Sequence, residues 1–181
     1  SKGGAAFGIV DTPEYRAMNP NGTVPTIDDE GFTLWESNVI VRYLSMKYAP
    51  DVMYGNDVQT FSSASRWMDW EQSQFLPEQH ILVMNLVRLP SEERSADAVE
   101  EARLSLLKPL SIIEAQLSKT EDIAADSFTM GDIPIGMRVH RWFLFDLESP
   151  LMPNLERWYK AIKERPAFKK HIADPALHLS G

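Results

Sequence analysis

The sequence predicts two segments of different class: an α/β segment over residues 1–50, then an all-helical segment over residues 57–175. Three observations carry this reading. Two short β-like runs, residues 24–27 and 32–35, flank the turn-forming stretch Asp28-Asp29-Glu30-Gly31, and helical spacing follows at once in Val39, Ile40, Tyr43 and Leu44. From Asp57 onward, apolar residues recur at threes and fours in several separate stretches. Between the two segments, residues 49–56 contain Pro50 and Gly55 and read as a linker.

Composition bounds the function. A chain of 181 residues has room for one large domain or two small ones. A hydrophobic share of 44% with five Trp supports a substantial core. Eighteen basic against 26 acidic residues give a net charge of −8 with no long basic run, which argues against nucleic acid as a partner. No apolar run is long enough to span a membrane. The opening Ser1-Lys2-Gly3-Gly4 lacks the apolar region of a signal peptide. The absence of Cys excludes disulfides and thiolate metal sites and is compatible with a cytoplasmic protein. The four His are scattered, so no metal is expected.

In chain order, residues 1–8 read as a Gly-rich loop. Asp11-Thr12-Pro13-Glu14 starts a short helix that ends at Asn19-Pro20. Pro25 cannot donate to a sheet ladder. A cis Val24–Pro25 bond is expected there; it turns the Val24 N–H and C=O outward, where an extended peptide can pair with them. Ser37 or its neighbour is placed to cap the next helix, and free N–H groups at that end favour a carboxylate. A plain hairpin followed by an ordinarily capped helix is the alternative reading.

In the helical segment, Asp57 caps a helix through Ala64, Trp67, Met68 and Glu71, and Leu76-Pro77 bends or breaks it. Trp67 and Trp70 read as core or interface residues. Ser95 opens a helix with one apolar stripe, Val99, Ala102, Leu106, Leu110, Ile113 and Leu117, with a kink expected at Pro109. Thr129 and Asp132 form a structural capping box, with Phe128 and Ile133 as its hydrophobic staple. The helix behind it is expected over residues 130–145, with Pro134 as an early kink and His140 as a packing residue. Leu155, Trp158, Tyr159 and Ile162 mark a final amphipathic helix, and residues 174–181 read as a mobile tail.

The strings V-P-T-I, D-D-E-G, L-W-E-S-N and I-V-R-Y-L resemble the glutathione-binding half of cytosolic glutathione transferases, of the bacterial theta/beta-like type. F-T-x-x-D-I and L-E-R-W-Y…R-P-A-F resemble that family's helical half, so the likeness spans residues 3–172. It implies a thioredoxin-like N-terminal domain, incomplete at its start, followed by an all-α domain. Val24 and Pro25 would pair with the cysteinyl backbone of glutathione, Glu36 and Ser37 would hold its γ-glutamyl end, and Asp69 would reach across a homodimer to its ammonium. Thr23 stands where some members place Lys or Gln, so the contact those residues make to the glycyl carboxylate is not carried over by the resemblance. The implied activity is attack by the glutathione thiol on a hydrophobic electrophile, in detoxification, without a metal. A non-catalytic interaction protein, or a glutathione-dependent isomerase, dehalogenase or peroxidase on the same scaffold, remains the alternative. The hydroxyl or thiol that activates glutathione belongs to a strand–helix–strand unit of roughly forty residues ahead of this point. The catalytic residue is therefore not assigned. Without that unit the hairpin would be marginal and leave an open edge. The expectation is that Ser1-Lys2 is stranded from an earlier piece, true truncation being the other possibility.

Overall fold

A computed structural model describes residues 8–54 and 57–173. The expected N-terminal loop up to residue 7, the linker residues Gly55 and Asn56, the expected tail at 174–181 and the expectation for Ser1-Lys2 lie outside the described residues. The chain divides into two compact units, Ser1–Met53 and Tyr54–Gly181.

In the first unit, α1 (Pro13–Met18) is capped by the Thr12 hydroxyl, which accepts from Tyr15 N–H. An antiparallel hairpin follows, β1 (Thr26–Asp29) and β2 (Phe32–Trp35), in the register Thr26↔Trp35 to Asp29↔Phe32. The expected first strand at 24–27 is shifted by two residues. Pro25 has no N–H for the ladder, so pairing starts at Thr26 and runs on through Asp28 and Asp29. The turn shrinks accordingly to Glu30 (φ 57°) and Gly31 (φ 88°), the paired positive φ of a tight hairpin. Asp28 supports it by accepting from Gly31 N–H at 3.1 Å.

Asp29 fastens the hairpin to α2 (Ser37–Tyr48). Its carboxylate accepts from the Tyr43 hydroxyl at 2.7 Å, Lys47 Nζ at 2.8 Å and the Tyr48 hydroxyl at 2.8 Å. These bonds, Lys47 first, hold the Asp29 carboxyl down at about 2. Ile40 is buried, whereas Val39 and Leu44 of the same apolar spacing stay exposed. The linker reading is corrected in part: Pro50, tolerated in a first helical turn, opens the four-residue α3 (Pro50–Met53).

Among its described residues the second unit holds helices and no strand. Asp57 accepts from Gln59 and Thr60 N–H to start α4 (Val58–Gln74). Phe75 separates it from α5 (Leu76–Val83), whose second residue is Pro77. A π-helical segment, Met84–Arg88, continues α5 and closes with Leu89 N–H to Met84 C=O at 2.8 Å. A 3₁₀ turn, Ser91–Glu93, leads to Ser95, whose hydroxyl caps α6 (Ala96–Leu117). Pro109 lies buried inside α6 without ending it. Helix α7 is Asp132–Leu144, two residues later at its start than the sequence predicts. Pro134 therefore falls in the first turn, where no intrahelical donor is required. Helix α8 (Pro153–Glu164) has no side-chain cap of its own. Glu114 of α6 supplies one, accepting from Asn154 N–H at 3.2 Å and Leu155 N–H at 2.7 Å. The short α9 (Pro166–Phe168) and a π turn, Lys169–Ala173, end the described chain.

The core of this unit joins the α6 stripe (Ala102, Leu106, Leu110, Ile113, Leu117) to Ile135, Val139 and Trp142 of α7 and to Leu155, Trp158 and Ile162 of α8. His140 is a packing residue: it is buried, with Nδ1 2.7 Å from the Tyr159 hydroxyl and its ring edge-on to Phe168. Burial, then the charges of Lys163 and Arg141, lowers its pKa. Among the described residues no helix is long and apolar enough to cross a membrane.

Candidate functional site

The register of the hairpin assembles the site. One step beyond the last pair, Thr26↔Trp35, stand Pro25 on one strand and Glu36 on the other. Val24, Pro25, Glu36 and Ser37 therefore gather at one end of the hairpin, and all four are exposed. The Val24–Pro25 bond is cis, as the sequence reading expects.

The approach to Val24 is held from behind by two residues the sequence reading passed over. Asn19, 1% exposed, donates from Nδ2 to the Thr23 carbonyl at 2.8 Å and to Thr26 Oγ1 at 3.1 Å. The Tyr15 hydroxyl lies 2.8 Å from both of those oxygens. Asn19 Oδ1 in turn accepts from Asn21 N–H at 3.1 Å. These bonds occupy the Thr23 carbonyl and fix the turn, so the backbone of Val24 is presented by a closed polar framework. The only signal in the sequence was the stop Asn19-Pro20-Asn21-Gly22, which marks a turn without naming its partners.

Across the hairpin end, Glu36 carries φ 74° and ψ 113°, a conformation that L side chains rarely adopt. Its carbonyl accepts the first intrahelical bond, from Ile40 N–H at 2.9 Å. The expected side-chain cap is absent: Glu36 holds the N-cap position, Ser37 is already helical, and neither makes a capping bond. The N-terminus of α2 thus carries no side-chain cap from Glu36, and it lies beside the exposed Ser37 hydroxyl at the positive end of a 12-residue helix dipole. That arrangement binds an anionic group such as a carboxylate. The strained backbone at Glu36 falls at the same spot, and strain of this kind clusters at ligand-binding sites.

The other sequence-derived residues lie in the second unit. Asp69 is exposed on α4. Thr129 and Asp132 are buried at the start of α7. Asp132 Oδ2 accepts from Thr129 N–H at 2.8 Å and from its hydroxyl at 2.9 Å, and Thr129 Oγ1 accepts from Gly131 N–H at 3.2 Å. Oδ1 accepts from Ile123 N–H at 2.8 Å and from Trp158 Nε1 at 3.0 Å. Among the described residues no cluster of His, Asp and Glu could hold a metal ion.

Residues 8–46 match the family model for the glutathione S-transferase N-terminal domain. The chain is 35% identical over 174 residues to the glutathione S-transferase GstB of Escherichia coli, covering 95% of this chain and 84% of that protein. It is 32% identical to glutathione S-transferase 3 of Zea mays, covering 89% of this chain and 75% of the relative. Among solved structures, the theta class glutathione S-transferase of Xanthomonas axonopodis pv. citri with glutathione bound superposes with a TM-score of 0.86 at 40% identity, covering 92% of this chain and 80% of that one.

Proposed function

This chain belongs to the cytosolic glutathione S-transferase superfamily, and from that premise we propose that it binds glutathione at the hairpin end and conjugates the glutathione thiol to hydrophobic electrophiles. The observation that carries this is the strained, uncapped Glu36–Ser37 junction on the same hairpin end as the exposed Val24. Val24 offers its backbone to the cysteinyl unit, and Glu36, Ser37 and the first turn of α2 take the γ-glutamyl end. The thiol, with an ordinary pKa of about 8.5, reacts as thiolate and needs a neighbouring group to favour the anion. The residues named here bind and orient; activation falls to a group not assigned among them. Residues 1–50 act as the glutathione-binding, thioredoxin-like domain and residues 57–175 as the helical domain. The setting is cytoplasmic detoxification.

Ser37→Ala tests the reading. Neither Ser37 nor Glu36 makes a side-chain capping bond, so the substitution should leave the thermal midpoint nearly unchanged. A hydrogen bond to a charged ligand group contributes about 1.5–3 kcal/mol, so glutathione affinity by titration calorimetry should fall about tenfold or more. A lower midpoint with unchanged affinity would reduce Ser37 to a structural residue.

The family also supports a homodimer in which Asp69 meets the partner's glutathione. Trp67 spends its ring in the unit's own core, at 6% exposure, so it argues less for an interface than Trp70, which is half-buried. Light scattering at micromolar concentration should give twice the chain mass; a monomer would remove the role proposed for Asp69.

A further inference from the structure

Glutathione carries a carboxylate at each end, and the hairpin end of the first unit has so far received only one of them. Glu36 and Ser37 take the γ-glutamyl end, and Glu36 stands across from Pro25, one step beyond the pair Thr26↔Trp35. The cysteinyl unit lies on Val24, the next residue back along the chain. An extended tripeptide laid in that order continues past Thr23 toward Gly22, at about 3.3 Å per residue. Its glycyl carboxylate arrives there. Thr23 brings no charge, and its carbonyl already accepts from Asn19 Nδ2 and from the Tyr15 hydroxyl, each at 2.8 Å. A cation does stand at this place. Gly22 has φ 61°, and a Cβ added to it would lie 2.9 Å from Arg16 Cζ and Nη2 and 3.1 Å from Nη1. The Arg16 guanidinium therefore packs on the bare turn glycine next to Thr23. Its side chain is 48% exposed, and Nη2 donates to Asp11 Oδ1 at 3.0 Å. Asp11 is itself 55% exposed, so this pair is weak. Among the described residues, the Arg16 Nε and Nη1 donors have no partner. Lys47, by contrast, is held by Asp29 at the opposite end of the hairpin.

We propose that Arg16 determines specificity at this site by receiving the glycyl carboxylate of glutathione through the N–H donors that Asp11 leaves open. The proposal rests on the glutathione-binding reading of the hairpin end. A guanidinium fork suits a carboxylate, and its planar group lies flat on a residue without a side chain. Asp11 holds the guanidinium against Gly22 before the ligand arrives, which spares the ligand part of the ordering cost. The thiol substrates are thereby narrowed to peptides with a free C-terminal carboxylate. A peptide with an esterified C-terminus keeps the Val24 and Ser37 contacts and loses this one.

The test measures binding to the full chain by calorimetry, with glutathione and with its glycyl monoethyl ester, which lacks the C-terminal charge. The wild type should prefer glutathione about fivefold, the size an exposed charge pair reaches, and the preference should shrink at high salt. Arg16→Gln should remove the preference by weakening glutathione and leaving the ester unchanged. Arg16→Lys, which keeps the charge without the fork, should restore part of it. A merely structural Arg16 would weaken both ligands alike. Equal binding of the two ligands by the wild type overturns the proposal, as does a preference that survives in Arg16→Gln; in both cases glutathione binding itself stands. A wild type that binds neither ligand refutes the glutathione reading and this proposal with it. Conjugation to chlorodinitrobenzene is read separately: a preference that depends on Arg16, without conjugation, keeps the Arg16 site and removes the transferase activity.

Discussion

Asp132→Ala should destabilise the helical unit by about 4 kcal/mol, because it strands several buried donors at once. The carboxylate is 0% exposed and accepts four hydrogen bonds, from Ile123, Trp158 and twice from Thr129. It therefore ties the loop before α7, the start of α7 and the indole of α8 to a single point. Urea melts followed by far-UV circular dichroism measure the loss; a change below about 1 kcal/mol would mean that water replaces the carboxylate freely. The pH dependence has a definite sign. Burial raises the Asp132 carboxyl from 3.8 to about 6, against the hydrogen bonds from Ile123 and Thr129 that pull it down. Between those values the folded chain holds a proton that the unfolded chain releases. Its contribution makes stability fall as pH rises from 3.8 to about 6 and then level off. Asp132→Asn should lack that slope, and a variant that keeps it would assign the titration to another group.

Glu71→Ala should cost about 3 kcal/mol, because removing one partner of a buried pair leaves the other charge uncompensated. Glu71 is 2% exposed in its side chain and Arg138 14%, so water reaches neither readily. Glu71 also opposes the lowering of the Arg141 pKa, which burial and the charges of Arg138 and Arg88 cause. The double variant Glu71→Leu with Arg138→Met should recover much of the loss, as apolar replacement of a buried pair is often neutral or stabilising. Strict additivity of the two changes would show that the pair is not coupled.

The sequence disclosed most where the physics is local. Thr12, Asp57 and Ser95 cap the helices they precede, because a cap bonds within three residues of itself. The α6 stripe is buried from Ala102 to Leu117 where its spacing placed it, with Val99 partly buried against it. The candidate site was legible as four residues, Val24, Pro25, Glu36 and Ser37, but their framework was not. Asn19 and Tyr15 act on Thr23 and Thr26 through a folded turn that no periodicity announces. The strand shift escaped notice because Asp28 and Asp29 look like turn residues until their bonds to Gly31 and α2 are known. Glu36 at positive φ is invisible in a sequence, since nothing but the surrounding fold puts a non-glycine residue there. The Glu71–Arg138 pair is hidden for a related reason: the two residues meet across 67 positions of chain.

One contact at the start of α7 has a mechanical consequence. A Cβ added at Gly131 would lie 3.0 Å from the Cα and the carbonyl oxygen of Ala64, so the two backbones touch there with no side chain between them. Helices slide past one another by letting side chains change rotamer, and at this crossing there is no torsion to yield. Glu71 and Arg138 brace the same two helices a second time. From Ala64 to Glu71 and from Gly131 to Arg138 is seven residues on each side, close to two turns and about 10 Å of helix. The braces therefore run in the same direction with the same stride, so α4 and α7 are parallel and locked in phase. A single residue inserted between the braces on either helix would turn one of them by about 100° and disengage it. Exposed positions between the two braces should accept substitution, but neither helix should accept a change in length there.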